Sequence, residues 1–428
     1  MAIREAPIAL TGDATLSHTR AGTTVPKRVF IYGINYAPEP IGVGRYTGEF
    51  GSYLAQQGLE VEVVTAVPHY PGWAMRNGYR NRFCVERIAG ARITRCPLFL
   101  KSEVHGAWRV IAPLTFALTS APVAIWRILT TRPDTVLCVE PTLFSAPAAL
   151  LAAKIVGART VLHVQDLEID AAFAVGHLRG GFLQKMANMV ERAVLRAFDA
   201  VVTISNRMQD RLKTKGISPQ RLSIVRNWVD LEKIKPLSGA TSYRNDLRLP
   251  DGSFVALYAG NIGPKQALPI ILDAAEHLAA ETNLIFVVAG DGPEKSRLVA
   301  RYAHLPNVRF LPVQPEERLC ELLNLADVHL LPQDRGAVDL VLPSKLGGML
   351  ASGKPCIVMA DPGTELYEFL DDGAIILPPG DSLILADVIK RVVHSAGHRP
   401  IGDNSARVAA LDARQNLPAF RAILAKVG

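Results

Sequence analysis

The sequence predicts an α/β protein made of two doubly wound domains in tandem. Three observations predict this. The chain has 428 residues, more than a single hydrophobic core usually supports. Short β-branched runs alternate with amphipathic stretches almost throughout, which is the pattern of a mostly parallel sheet flanked by helices. Near the middle the alternation breaks, and then it begins again.

The first series of strands reads RVFIYGIN, VEVVTAV, TVLCVEP, TVLHVQD and AVVTIS. These are continuous apolar runs, as expected of strands buried on both faces, and 49% apolar against 20% charged residues supply the core. From Asn227 to Pro250 the chain turns polar and carries Pro236, Gly239 and Pro250, with Gly252 just beyond, so the hinge is expected there. The second series reads FVALYAGN, LIFVVAGDG, VRFLPV, DVHLLPQ, PCIVMA and AIILPPG. Each half opens with a similar strand, at Val29 and at Val255, that runs into a glycine-containing loop, so both halves are read as Rossmann-like. The expected boundaries are a loose tail at 1–26, a first domain at 27–228, a linker at 229–250, a second domain at 251–402 and a C-terminal helix at 403–428. That last segment has helical periodicity and no following strand, so it is expected to pack across a domain surface.

The formal charge of +7 is scattered along the chain and favours anionic partners. Nucleic acid, phosphorylated small molecules and an acidic membrane surface all fit that charge, but no nucleic-acid motif is present. The five cysteines (Cys84, Cys96, Cys138, Cys320 and Cys356) are odd in number, widely spaced and free of metal-ligand spacing. They read as reduced core residues of a cytosolic protein. The first two dozen residues lack the apolar core of a secretory signal. The uncharged stretch from Val110 to Trp126 approaches spanning length, but Pro113, Pro122 and three hydroxyl residues favour a buried or membrane-touching helix over a true span.

Five motifs carry candidate chemistry. Gly42-Val43-Gly44-Arg45-Tyr46 follows the first strand and opens a helix, where backbone N–H groups make an anion site. A plain strand-to-helix connection explains it equally well, and its spacing does not match a dinucleotide fingerprint. Gly260-Asn261-Ile262-Gly263-Pro264-Lys265 repeats the arrangement in the second half, with Lys265 as a point charge for a diphosphate. Ala289-Gly290-Asp291-Gly292-Pro293 reads as a structural turn on the cleft wall. Pro343-Ser344-Lys345-Leu346 begins a helix at the carboxyl end of a strand, where ligands of doubly wound sheets bind. His163-Val164-Gln165-Asp166 ends a strand of the first half and is expected to face the cleft, although a satisfied structural histidine is the competing account. Arg226-Asn227-Trp228-Val229-Asp230 is read mainly as a crossover. No Asp-x-Asp triplet occurs, so no cofactor or metal is expected, and cations with helix N-termini would carry the diphosphate charge.

Together, YGINYAPEPIGVGRYTGE, TVLHVQDLEIDA, RNWVD, LYAGNIGPKQAL and VLPSKLGGMLASGKP resemble the family-4 retaining glycosyltransferases of GT-B fold. The likeness is greatest to bacterial exopolysaccharide enzymes similar to the colanic acid fucosyltransferase. It runs from about Arg28 to beyond Pro379. The resemblance implies two domains facing each other across a cleft, with a nucleotide-sugar donor held mainly by the second. Gly42, Gly44, Gly260, Asn261, Lys265, Ser344, Lys345 and Leu346 are the implied donor residues. Tyr46, His69 and Asp166 are the implied acceptor residues, and His163, Asp166 and Lys265 would stand beside the reacting groups. GDP-fucose is the candidate donor and a lipid-linked oligosaccharide at the cytoplasmic membrane face the candidate acceptor, with peripheral membrane contact and no nucleic acid.

Two departures stand out. Many members carry a pair of glutamates at the helix start, but here those positions hold Leu340 and Gly348. The arginine usual ahead of Lys265 is also replaced, with Asn261 nearest. A nucleotide-sugar epimerase and a non-catalytic subunit of a polysaccharide assembly therefore remain alternative readings.

Overall fold

The computed structural model describes residues 23–24, 26–70, 72, 74–100, 111–141, 143–167, 181–333, 340–395 and 402–427. The strands are β1 (Thr23–Thr24), β2 (Arg28–Tyr32), β3 (Glu60–Ala66), β4 (Cys84–Ile88), β5 (Ala91–Cys96), β6 (Thr135–Glu140), β7 (Arg159–Val164), β8 (Ala200–Thr203) and β9 (Leu222–Ile224). After the crossover come β10 (Phe254–Ala259), β11 (Leu284–Ala289), β12 (Val308–Leu311), β13 (Val328–Leu331), β14 (Cys356–Met359), β15 (Ile375–Leu377) and β16 (Lys426–Val427).

The first sheet has the order β4-β5-β3-β2-β6-β7-β8-β9 and the second β12-β11-β10-β13-β14-β15. Every pairing in them is parallel except the hairpin β4/β5. The predicted α/β class with two doubly wound domains is what the chain forms. The hairpin was not expected. Its two-residue turn sits at Ala89 and Gly90, both at positive φ, and its outer strand alternates exposed and partly buried residues rather than reading as an apolar run. Both sheets change direction at one place, between β2 and β6 in the first and between β10 and β13 in the second. Ligands of open α/β sheets bind outside the carboxyl ends of the strands at such points.

Strand alternation sorts the first core into two faces. Tyr32, Val64, Cys138 and Leu162 pack under the helices Ile111–Thr131, Ala146–Val156 and Gly181–Ala197. Ile31, Val63, Leu137 and Val161 pack under the helices Gly42–Gln56 and Ala413–Leu424. The C-terminal segment is thus two helices, Ser405–Ala410 and Ala413–Leu424, and the second returns to the first domain. Phe420 stacks on Phe50 with ring centroids 4.0 Å apart, and Thr135 Oγ1 donates to the Leu424 carbonyl at 2.9 Å. Burying a phenylalanine contributes roughly 1.5–3 kcal/mol, enough to hold that helix against the sheet.

The chain crosses between domains twice, and the crossings bond to each other. Val229 N–H donates to Leu411 O at 2.8 Å and Ala413 N–H to Val229 O at 3.0 Å. Most of the segment read as linker lies against the second domain. Tyr243 is buried in its core with its hydroxyl 2.8 Å from Gln314 Oε1, and Arg244 pairs with Asp327 at 3.1 Å. Polar composition concealed this, because a few buried anchors fix an otherwise exposed strap.

Candidate active site

In the second domain Lys345, just ahead of the helix Leu346–Ala351, meets the end of β10 at the switch point. Its Nζ donates to the Tyr258 hydroxyl at 2.9 Å and lies 4.2 Å from the Tyr258 ring centroid. Tyr258 in turn donates to the Asn261 carbonyl at 2.6 Å, so one buried phenol ties Lys345 to the loop after β10. Gly260 leaves room for this: a Cβ there would lie 3.3 Å from the lysine stem. Burial pushes the Lys345 ammonium down to about 7 from its ordinary 10.5. Such a group gains strongly when an anion arrives. Asn261 is exposed beside it, with its amide 3.3 Å from Gln266 Oε1. Lys265 lies in the 3₁₀ turn Pro264–Gln266, and its side chain is outside the described atoms.

Ser344 and Leu346 line a narrow pocket between the domains, together with Tyr46, Arg226, Asn227 and Trp228. Residues from both halves therefore do meet. Tyr46 is buried edge-on against Trp228, with centroids 5.4 Å apart, and the Trp228 indole donates to Glu49 at 2.7 Å. Asn227 donates to Gln165 Oε1 at 3.2 Å, leaving Gln165 Nε2 and Asn227 Oδ1 buried without hydrogen-bond partners. Unsatisfied buried amide atoms are costly, which singles out this donor–acceptor pair beside the pocket.

In the first domain Glu39 organises the mouth. Its Oε1 accepts the His69 and Tyr70 amides at 3.1 and 3.0 Å, and its Oε2 accepts Asn35 Nδ2 at 2.9 Å. His69 is buried against it. Asp166 is exposed and close enough to Tyr70 that, after burial and Glu39, its charge helps raise the Tyr70 phenol.

Two expectations change. His163 does not open into the cleft. Alternation places it with Val161 on the face covered by the C-terminal helix, where its ring meets Phe420 edge-on at 4.6 Å. Burial depresses it to about 3, so it is a neutral core imidazole at physiological pH. Gly44 lies in the first turn of the helix Gly42–Gln56, where close packing rather than an open anion site accounts for it. A Cβ on Gly44 would strike the Glu39 carboxylate, one on Gly48 would come to 2.5 Å from the Ala37 Cβ, and one on Gly51 would strike the Tyr36 hydroxyl. This glycine row lets the loop after β2 press on the helix. Gly42, at φ +67°, is the turn residue that starts it, against the Tyr70 ring.

The two positions that lack glutamate sit in close surroundings. A Cβ on Gly348 would come to 3.0 Å from the Leu323 side-chain tip and one on Gly347 to 3.2 Å from Val229, so any side chain on this face of the helix Leu346–Ala351 has to displace a neighbour. The Leu340 carbonyl accepts the Ser205 hydroxyl from the first domain. A carboxylate that the sequence reading passed over, Glu365, is nearly fully buried between the domains. It accepts the Arg207 amide at 2.9 Å and pairs with Arg226 at 2.6 Å. Among the described residues no three His, Cys, Asp or Glu side chains gather in a metal-holding group.

Two family models match the chain: a glycosyl transferase 4-like domain over residues 42–228 and glycosyl transferases group 1 over 240–407. The chain is also 40% identical over 352 residues to the colanic acid biosynthesis glycosyl transferase WcaI of Escherichia coli K12, covering 80% of this chain and 86% of that one. The chain belongs to the family-4 glycosyltransferases of GT-B fold. Solved structures agree on the fold of this glycosyltransferase. Sucrose-phosphate synthase from Thermosynechococcus elongatus superposes with a TM-score of 0.70 at 16% identity, covering 92% of this chain and 97% of that one. HepE of Anabaena, solved with UDP and glucose, gives 0.59 at 14% identity over 94% and 96%.

Proposed function

We propose that this glycosyltransferase moves a sugar from a nucleoside diphosphate to a lipid-linked oligosaccharide during exopolysaccharide assembly of the colanic acid kind, with GDP-fucose as the leading donor. The observation that carries the donor half is Lys345, a desolvated ammonium held at the switch point of the second sheet by Tyr258. A bridged diphosphate supplies the charge that this group lacks, and Ser344 and Asn261 offer polar contacts beside it. Lys265, on the neighbouring turn, is the second proposed cation. No metal is needed where fixed cations take the diphosphate charge. The similarity to WcaI supports the polysaccharide setting.

The acceptor would enter from the first domain, past Tyr70, Asp166 and the Gln165–Asn227 pair. In the proposed retaining reaction the acceptor oxygen bonds to the anomeric carbon on the face that the diphosphate leaves. The departing diphosphate oxygen takes the hydroxyl proton, so no dedicated base is required. The cytoplasmic side is the proposed place of work, supported by five cysteines that are all free.

Thermal shift against GDP-, UDP- and dTDP-sugars tests the donor, because a ligand bound only by the folded state raises its apparent stability. Transfer to a lipid-linked acceptor with excess EDTA, with the anomeric configuration read by NMR, tests the rest. Inverted product or EDTA-abolished transfer would refute the mechanism, and stabilisation by UDP-sugars alone would refute the donor.

A further inference from the structure

We propose that the outer face of three helices in the first domain is a docking surface for an anionic lipid bilayer. The helices Ile111–Thr131, Ala146–Val156 and Gly181–Ala197 cover one face of the first sheet, with the second packed between the other two. The first is long and apolar enough to cross a membrane, yet its Ala112, Phe116, Ser120, Ala124 and Ile128 are buried in the domain core. It therefore lies along the domain.

Its opposite stripe is apolar too. Leu114, Leu118, Trp126 and Leu129 recur at helical spacing on the outside, and Leu118 is 75% exposed and Trp126 60%. The neighbouring helix continues the patch with Leu151 and Ile155, at 59% and 65%. The third adds Met186, Met189 and Val190. By contrast, the helix Gly42–Gln56 on the other face of the same sheet exposes no large apolar side chain. An exposed apolar area shared by three adjacent helices marks an interaction surface rather than scattered surface residues.

Charge selects the occupant. The only carboxylate on these three helices is Glu191, which is buried and paired with Lys215, whereas Lys154, Lys185 and Arg192 are exposed. An apolar face whose three helices carry exposed cations and no exposed acid fits an anionic lipid surface, where each cation adds attraction and each apolar side chain buries itself among acyl chains. A second copy of the chain docked through the same patch would set these like charges against each other. The surface draws on the proposed lipid-linked acceptor only for its purpose, because bilayer binding needs neither donor nor acceptor.

The test is co-sedimentation of the full chain with vesicles of phosphatidylcholine alone or with phosphatidylglycerol added. Expected is binding to the anionic vesicles that weakens with salt. Leu118→Glu/Trp126→Glu/Ile155→Glu, and separately Lys154→Glu/Lys185→Glu/Arg192→Glu, should each reduce binding by about tenfold or more. All six positions are exposed, so the variants should melt as the wild type does. Three results would overturn the proposal: no binding to either vesicle, variants that bind like the wild type, or a solution dimer that the apolar triple variant converts to monomer. Failure here leaves sugar transfer intact, and a wrong donor leaves vesicle binding intact, so the two readings fail separately.

Discussion

Replacing Lys345 with methionine tests the donor site most sharply. The substitution keeps the stem that lies against Gly260 and removes the ammonium that donates to Tyr258 at 2.9 Å. A hydrogen bond from a charged group contributes about 1.5–3 kcal/mol, so donor affinity should fall about ten- to a hundred-fold. Stability should move the other way or not at all, because an ammonium held out of water is lost. The sign of the pH dependence follows. In the folded chain Lys345 titrates at about 7, below its ordinary 10.5, so between those values the unfolded chain binds the extra proton. Wild-type stability therefore gains from this group as pH rises through that window, and the variant lacks the gain. Donor pairing has the opposite slope. The ammonium must be charged to meet a diphosphate, so wild-type affinity is greatest below about 7 and declines on the order of tenfold by pH 8.5, while the variant stays flat. Calorimetric titration with GDP-fucose, whose bridged diphosphate does not titrate here, reads this at pH 6.5 and 8.5. Unchanged affinity in Lys345→Met, or a wild-type affinity indifferent to pH, would remove Lys345 from the donor site. A large loss of apo stability would assign it a structural role instead.

Other substitutions separate packing from chemistry. Glu365→Ala leaves Arg226 and the Arg207 amide without their shared carboxylate; stability should drop by about 2–4 kcal/mol, with kcat/KM falling as the domain contact loosens, whereas a Tm equal to wild type would show that the contact contributes nothing. Gly48→Val drives a side chain into Ala37 backbone and Cβ, costing about 1–3 kcal/mol in denaturant melts, and an unperturbed midpoint would refute the tight helix–loop contact. His163→Leu should keep the transfer rate within a few-fold and leave its profile unchanged between pH 5 and 8. A hundred-fold loss at normal stability would return His163 to the reaction. Because the folded imidazole titrates at about 3 against an ordinary 6.5, its neutral burial destabilises the wild type as pH falls below 6.5, so His163→Leu should unfold at lower pH.

The fold was legible because strands buried on both faces of a parallel sheet must be continuous apolar runs, and such runs cannot be mistaken when eleven of them repeat between helical stretches. The hairpin β4/β5 escaped for the converse reason. Its outer strand CVERI forms the half-solvated edge and carries charges where inner strands carry valine, and ARITRC beside it holds the buried Arg95 because that guanidinium pairs with Glu86. The C-terminal return to the first domain was only half legible. Amphipathic period identifies a helix that must be covered, but the partner is named by Phe420 finding Phe50, a contact across hundreds of residues.

The site shows a sharper limit. Motif reading finds residues whose type is unusual for their place, and so it found Ser344 and Lys345 at a helix start. It could not find Tyr258, because a tyrosine within VALYAGN is an ordinary core residue until its hydroxyl is seen holding Lys345 and the Asn261 carbonyl together. His163 shows the opposite error: a polar residue near a strand end looks functional, yet alternation alone turns positions 161 and 163 to the covered face. The next two residues along, Gln165 and Asp166, pass the strand's end and escape that constraint. One bonds to Asn227 beside the interdomain pocket, and the other stands exposed near Tyr70. The acceptor chemistry proposed for this first domain therefore rests on residues beyond the last ladder hydrogen bond, where neither sheet face claims the side chain.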